Sequence, residues 1–132
     1  MALRRRIFLA GGVGALGAGA LGYGGSLAVC ALTQDRLALL RPLYVALDGL
    51  RGAAPIGVAW QKVETPAVAA DHLLHDTEVV AALLMPDPAV RKNAIEQVMR
   101  RDFSAGSVVL VDRWLVAESE ARIAALRIAD SA

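Results

Sequence analysis

The chain has 132 residues, 14 Lys and Arg against 13 Asp and Glu, and one cysteine, Cys30. That length suits one small domain beyond any leader, and a lone cysteine excludes an intramolecular disulfide or a cysteine-based metal site built from this chain alone. The charge is unevenly spread: Arg4, Arg5 and Arg6 precede every acidic residue, and residues 33–132 carry 11 basic and 13 acidic side chains, a net of −2. A near-neutral, slightly acidic domain lacks the basic patch that neutralises phosphates, so nucleic acid is not an expected partner.

Residues 1–32 differ from the rest. Eight of the 12 glycines fall between Gly11 and Gly25, and Ile7 to Leu32 is a 26-residue stretch without a charge. A basic start followed by an apolar run is the pattern of an export signal. Arg5-Arg6-Ile7-Phe8-Leu9-Ala10 resembles the twin-arginine motif Arg-Arg-any-Phe-Leu-Lys, with Arg5, Arg6, Phe8 and Leu9 in the characteristic positions. Ala10 replaces the usual Lys, and Arg4 stands where Ser or Thr is common. The weakly hydrophobic, Gly-rich run fits the same resemblance. The alternative is an uncleaved transmembrane anchor, since 26 residues at about 1.5 Å each cross a hydrocarbon core of roughly 30 Å. Small residues at four-residue spacing (Gly11, Ala15, Gly19) suit helix packing in such an anchor, although so many glycines weaken a helix. Val29-Cys30-Ala31 offers small residues for cleavage after Ala31, and Leu27-Ala28-Val29-Cys30 resembles a lipoprotein box except at Val29. Gly12-Val13-Gly14-Ala15-Leu16-Gly17 matches G-x-G-x-x-G in letter, but no βαβ unit or acidic residue follows at the required distance. No dinucleotide or other cofactor is therefore expected.

The remaining residues read as mainly helical. Leu37, Leu40, Tyr44 and Leu47 mark a helix over 35–50, capped by Thr33 or Asp35, ended by Gly49 and Gly52, and strained at Pro42. Pro55 to Val63 reads as a second helix with Ile56, Ala59, Trp60 and Val63 on one side. Thr65-Pro66 is a strong start signal for a helix expected to run to Met85, burying Leu73, Val80 and Leu84, with Pro86 as its stop. Asp87-Pro88 repeats the signal for a helix to about Arg101, with Val90, Ala94, Ile95, Val98 and Met99 inside and Arg91, Lys92, Glu96 and Arg100 outside. The period then changes. Ser107 to Val111 and Trp114 to Val116 read as a hairpin around Asp112-Arg113, where Arg113 occupies a position that favours Gly. Glu118 to Ile128 reads as the last helix, with Ile123, Ala124, Leu126 and Arg127 near its end and Ser119 as an alternative cap. The expected organisation is a signal or transmembrane segment over 1–32 and a small helical domain over 33–132 that ends in a hairpin and a terminal helix.

Asp102-Phe103, Gly106, Val108, Asp112, Trp114, Glu118, Glu120 and Ala125-Leu126 are similar to the C-terminal pattern of small bacterial proteins that carry twin-arginine signals and have no assigned activity. Those proteins commonly have Asp-Gly at the turn and Thr-Glu-Ala at the helix start, so Arg113 and Ser119 depart from the pattern. The resemblance implies export and no particular chemistry.

Few residues suggest chemistry. On a continuous helix His72, His75 and Asp76 share a face, and Asp71, His75 and Glu78 form a second row. Imidazole and carboxylate suit zinc or non-haem iron, so His72, His75 and Asp76 are the candidate metal ligands. The ordinary alternative is the polar face of an amphipathic helix. Asp112, Glu118 and Glu120 gather near the hairpin with Arg113 and Arg122, either as a carboxylate cluster or as solvated charge with a Glu118–Arg122 pair. Trp114 is the candidate partner contact; Trp60, Phe103 and Tyr44 read as core or interface anchors.

The twin-arginine resemblance implies transport of a folded protein to the periplasm or the periplasmic face of the cytoplasmic membrane, with the translocation machinery as a partner. The leading expectation is a non-catalytic accessory or assembly subunit whose signal escorts a larger redox enzyme. The alternatives are a membrane-tethered interaction protein and a small metal-binding protein using His72 and His75.

Overall fold

The computed structural model describes residues 34–48 and 52–132. Arg5, Arg6, Phe8, Leu9, Cys30, the glycine run, the Thr33 cap and the Gly49 stop lie outside the described residues. The chain divides into Met1–Asp35 and Arg36–Ala132, and the fold described is that of the second unit. It is mainly helical, with six helices and one two-stranded hairpin. Among the described residues no helix is long and apolar enough to cross a membrane.

The first helix, α1, covers 34–45 and continues through Pro42. Leu37, Leu40 and Tyr44 bury their side chains as expected from their spacing, Leu43 joins them, and Leu47 is buried from the turn that follows, because the helix ends at residue 45 and not at the expected 50. Next comes α2 (Ala53–Trp60), preceded by Gly52 at φ 96°. Its buried face is Ile56, Gly57 and Trp60. Val63 lies past its end and is 70 % exposed, so the expected extension to Val63 is corrected.

Thr65 starts α3 (Pro66–His75) as anticipated: its hydroxyl accepts from the Val68 N–H, and proline occupies the first turn. The expected run to Met85 is not continuous. Asp76 adopts an extended backbone, φ −85° and ψ 112°, closing α3 and capping α4 (Thr77–Leu83). Its Oδ1 accepts from the N–H groups of Glu78 and Val79. A short Asp side chain offers the backbone this alternative to continuing the helix. The break rotates the following turn. Val79 and Ala82 become the buried pair, Val80 is half-buried, and Leu84 is 77 % exposed, so only Leu73 of the expected stripe lies in the core.

Asp87 caps α5 (Pro88–Ala105) through the N–H groups of Ala89 and Val90. The helix continues one turn beyond Arg101 and stops at Gly106, whose φ of 78° is the left-handed conformation glycine adopts without a Cβ penalty. The Ser107 N–H then bonds back to the Asp102 carbonyl. Ile95 and Val98 are buried, whereas Val90 is 51 % exposed.

The hairpin pairs β1 (Val108–Val111) with β2 (Trp114–Ala117), Val111 opposite Trp114 and Leu110 opposite Leu115. Asp112 and Arg113 form the turn at φ 46° and 70°. Both are left-handed, the geometry that matches strand twist in a two-residue hairpin, and Arg113 occupies it at a cost of about 1 kcal/mol. The last helix, α6 (Glu118–Ser131), is longer than expected and its cap residue is Ala117 rather than Ser119.

Helix α6 divides the core. Ile123 and Leu126 join the α1, α3, α4 and α5 cluster that includes Leu40, Leu73, Val79 and Ile95. Ala121, Ala124 and Ala125 face the second cluster, formed by Ile56 and Trp60 of α2 and Val111 and Val116 of the hairpin.

Candidate functional site

The polar side chains that lie deepest collect where α3, α4, α5 and the start of α6 meet. Arg101 on α5 spans two carboxylates. Its Nη1 and Nη2 reach Asp76 Oδ1 and Oδ2 at 3.1 and 2.7 Å, a two-pronged contact. Its Nε and Nη2 reach Asp102 Oδ1 at 3.2 and 2.7 Å. Asp102 is only 5 % exposed, and its Oδ2 accepts the Ser119 N–H at 3.1 Å. A carboxylate from α5 thus serves an amide at the positive end of α6, which has no side-chain cap of its own.

A second chain of contacts runs beside it. Glu64 Oε2 accepts from Trp60 Nε1 at 3.0 Å and from Arg122 Nε at 3.1 Å. Arg122 Nη2 donates to Glu118 Oε1 at 2.7 Å, the helical pair anticipated from their spacing. His72 Nε2 lies 3.3 Å from Glu64 Oε1. Between the two chains is a polar cavity of about 150 Å³, lined by His72, Asp76, Arg101, Asp102, Glu118 and Arg122 among others.

Electrostatics follow from the pairing. Hydrogen bonds from Arg101, aided by the Val79 and Glu78 amides, hold the Asp76 carboxyl below the usual carboxylate range against the opposing effect of burial. Asp76 and Asp102 raise Arg101 in turn. Burial pushes the Glu120 carboxyl above its ordinary value, opposed by a hydrogen bond from the Ala117 backbone. Arg122 pairs with two carboxylates and Arg101 with three, Glu78 Oε1 lying 3.4 Å from its Nη1. The cluster's demonstrable work is mechanical: it ties three helix termini and the Trp60 indole to one another.

The sequence-derived site residues are placed as follows. His72 meets Glu64, His75 Nδ1 bonds to the Asp71 carbonyl at 2.7 Å, and Asp76 is held by Arg101 and the α4 amides. The three go to separate partners, and because α3 ends before Asp76 they do not share one helix face. Among the described residues no group of three or more His, Cys, Asp and Glu side chains is placed to hold a metal ion. Glu118 faces Arg122, Glu120 is half-buried, and Asp112 is exposed in the turn. Trp114 is 64 % exposed on one face of the hairpin, and Leu110 at 73 % and Leu115 at 59 % pair across the other. Glu64 and Arg101 carry the polar cluster without having been singled out in the sequence, and Asp102 stands there only as part of the C-terminal resemblance. Their partners Arg122, Asp76 and Ser119 lie 58, 25 and 17 residues away, so no local spacing marks them.

Because Asp76 is depressed in the folded state, its contribution to stability is complete above the ordinary carboxylate range and is lost as pH falls through the lowered value. Asp76→Asn keeps one oxygen for the α4 cap and loses the ionic contact. The expected result is a loss of about 2 kcal/mol at pH 7 that shrinks on acidification, as wild type forfeits the same interaction. Urea unfolding at pH 7 and pH 3 checks this; an equal deficit at both values would refute it.

No family model, no curated protein and no solved structure matches this chain in comparisons with each.

Proposed function

We propose that the chain is a non-catalytic accessory or assembly subunit, exported by the twin-arginine machinery, that escorts a larger redox enzyme to the periplasm or the periplasmic face of the membrane. The observation that carries this reading is the hairpin. Leu110, Trp114 and Leu115 expose 73, 64 and 59 % of their surface within six residues. Leu110 and Leu115 pair across one face of the hairpin and Trp114 stands on the other, so this short element offers exposed apolar side chains on both faces, a surface of the kind that supports an interaction site. An exposed tryptophan is the residue type most often found at the energetic centre of such sites. The Arg5, Arg6, Phe8 and Leu9 motif supports the export half of the proposal, and the internal pairing of the Arg101 and Arg122 clusters supports a structural rather than a reactive use of those charges.

The test is purification of the tagged native protein from membrane and periplasmic fractions, with its intact mass recorded. A stoichiometric redox enzyme is expected. The double variant Trp114→Ser, Leu115→Ser is expected to lower its recovery about tenfold or more while leaving the melting temperature within a few degrees of wild type, because both side chains are exposed. A chain that purifies alone from both fractions overturns the proposal.

A further inference from the structure

Helix α1 is apolar on two opposite sides. Leu37, Leu40, Leu43 and Tyr44 fill the core. At about 3.6 residues per turn, Ala38, Leu39, Pro42, Val45 and Ala46 fall on the other side as one stripe. Leu39 is 56 % and Val45 53 % exposed, and Ala38 is exposed beside them. The first turn of α5 widens this surface, since Pro88, Ala89 and Lys92 share a groove with Pro42, Val45 and Ala46. A helix that is apolar all round is ordinarily covered all round. The adjoining sequence indicates the cover. Ile7 to Leu32 carries no charge, and only Thr33 separates that run from the first residue of α1. Its 26 residues, at about 1.5 Å each, suffice to cross a hydrocarbon core of roughly 30 Å. Asp35 and Arg36 are the first charges after it.

We propose that the outer stripe of α1 lies in the headgroup boundary of the periplasmic leaflet, its apolar side chains toward the acyl chains. This rests on the export half of the reading above, with the uncharged run retained as the anchor, and does not depend on the enzyme partner. A retained run tethers the start of α1 at the bilayer surface, because one intervening residue spans at most about 3.6 Å. Laying an apolar stripe into that boundary is how an interfacial helix holds to a membrane. Arg41, 3.3 Å from Asp130, and Lys92 are exposed at the rim, where basic side chains reach lipid phosphates while their stems stay among apolar neighbours. Pro42 limits the depth. It has no N–H to give the Ala38 carbonyl one turn earlier, and Ala38 belongs to the outer stripe. An unpaired carbonyl is costly in hydrocarbon but meets water or a lipid amine at the boundary. A second copy is a poorer occupant. A helix over 34–45 is about 18 Å long and about 10 Å across, so two stripes face to face bury on the order of a few hundred Å², short of the roughly 1,200 Å² of a stable interface.

The test uses the full chain in a Cys30→Ser background, reconstituted in vesicles of phosphatidylethanolamine and phosphatidylglycerol. One nitroxide is attached through Leu39→Cys, Val45→Cys or, as the control on the hairpin, Leu110→Cys; all three positions are exposed. Collision with oxygen against a water-soluble nickel chelate reads the depth of each label. Labels at 39 and 45 are expected about 5–10 Å below the lipid phosphates, and the label at 110 in water. Adding Ala38→Glu and Leu39→Glu is expected to move the label at 45 into water. The melting temperature stays within a few degrees, because both replaced side chains are exposed. Labels at 39 and 45 that read as aqueous while the anchor is inserted overturn the inference. Spin–spin broadening between two copies, or shielding from both reagents once the copurifying enzyme is added, gives the stripe to a protein and overturns the choice of lipid. The intact mass of the chain purified from cells tests the anchor. Cleavage after Ala31 overturns this inference and leaves the accessory reading to the copurification. Labels in lipid with no enzyme recovered overturn the accessory reading and leave this inference standing.

Discussion

Replacing Asp102 with alanine is expected to destabilise the protein by about 3–4 kcal/mol, measured by urea unfolding at pH 7. The carboxylate is 5 % exposed and holds two groups at once, the Arg101 guanidinium and the Ser119 N–H. Alanine leaves that amide buried at the start of α6 without an acceptor, a loss of about 1–3 kcal/mol by itself. Arg101 keeps Asp76, so its charge is not wholly orphaned. Asp102→Asn separates the two contributions. Its amide oxygen still accepts from Ser119, but its nitrogen then confronts the guanidinium, and about half of the alanine deficit is expected to remain. Arg101 links Asp76 to Asp102, so Asp76→Ala and Asp102→Ala are expected to be non-additive, by about 1 kcal/mol in a double-mutant cycle. Simple additivity would mean that the two carboxylates act independently, contrary to the bridging geometry.

The bridge also explains which parts of this fold are legible in the sequence. Start signals made within four residues carried through to the structure. Thr65-Pro66 and Asp87-Pro88 open helices through the hydroxyl and carboxylate contacts their residue types favour. The hairpin turn falls on Asp112-Arg113 even though Arg113 is a poor residue for it, because these two residues are all that separates the apolar runs Val108–Val111 and Trp114–Ala117, and loop length sets the register of a hairpin. Asp76 is the counterexample. An aspartate within a helix-like run, ten residues before Pro86, is a possible cap for Glu78 and Val79 but, unlike Asp87, has no following proline to mark the break. Arg101, 25 residues downstream, adds a two-pronged contact to the Asp76 carboxylate that no local pattern announces. The same distance hides the site: Glu64, Arg101 and Asp102 are ordinary surface charges until the helices assemble. The Glu118–Arg122 pair, four residues apart, was readable for that reason alone. Trp114 was recognisable as an anchor residue by its type, but its exposure depends on α2 covering Val111 and Val116 while leaving the tip of the hairpin free.

Gly57→Val is expected to cost about 3 kcal/mol or more, the largest loss from a single substitution in α2. Gly57 carries no signal of its role in the sequence, where glycine inside a helix reads only as a weakness of about 1 kcal/mol relative to alanine. In the fold it is the point at which α2 crosses α6. A Cβ at this position would stand 2.7 Å from the Ala124 carbonyl carbon and 2.9 Å from Ile128 Cγ1. The half-buried isoleucine is a side chain that can give way, but the backbone of the buried face of α6 cannot. Relief therefore requires α2 to move away from α6. That displacement reaches the hairpin, because Ile56 and Trp60 of α2 pack with Val111 and Val116, and it strains the contacts to α6 that Gln61 makes with the Ala125 carbonyl and Glu64 with Arg122. Gly57→Ala sets the propensity gain of about 1 kcal/mol against a smaller clash and is expected to lose about 1–2 kcal/mol net. For a unit of this size, that is a fall of roughly 4–16 °C in melting temperature. A rise in melting temperature for Gly57→Ala would show that the crossing has slack, and the support that α2 gives the hairpin would then have to come from elsewhere.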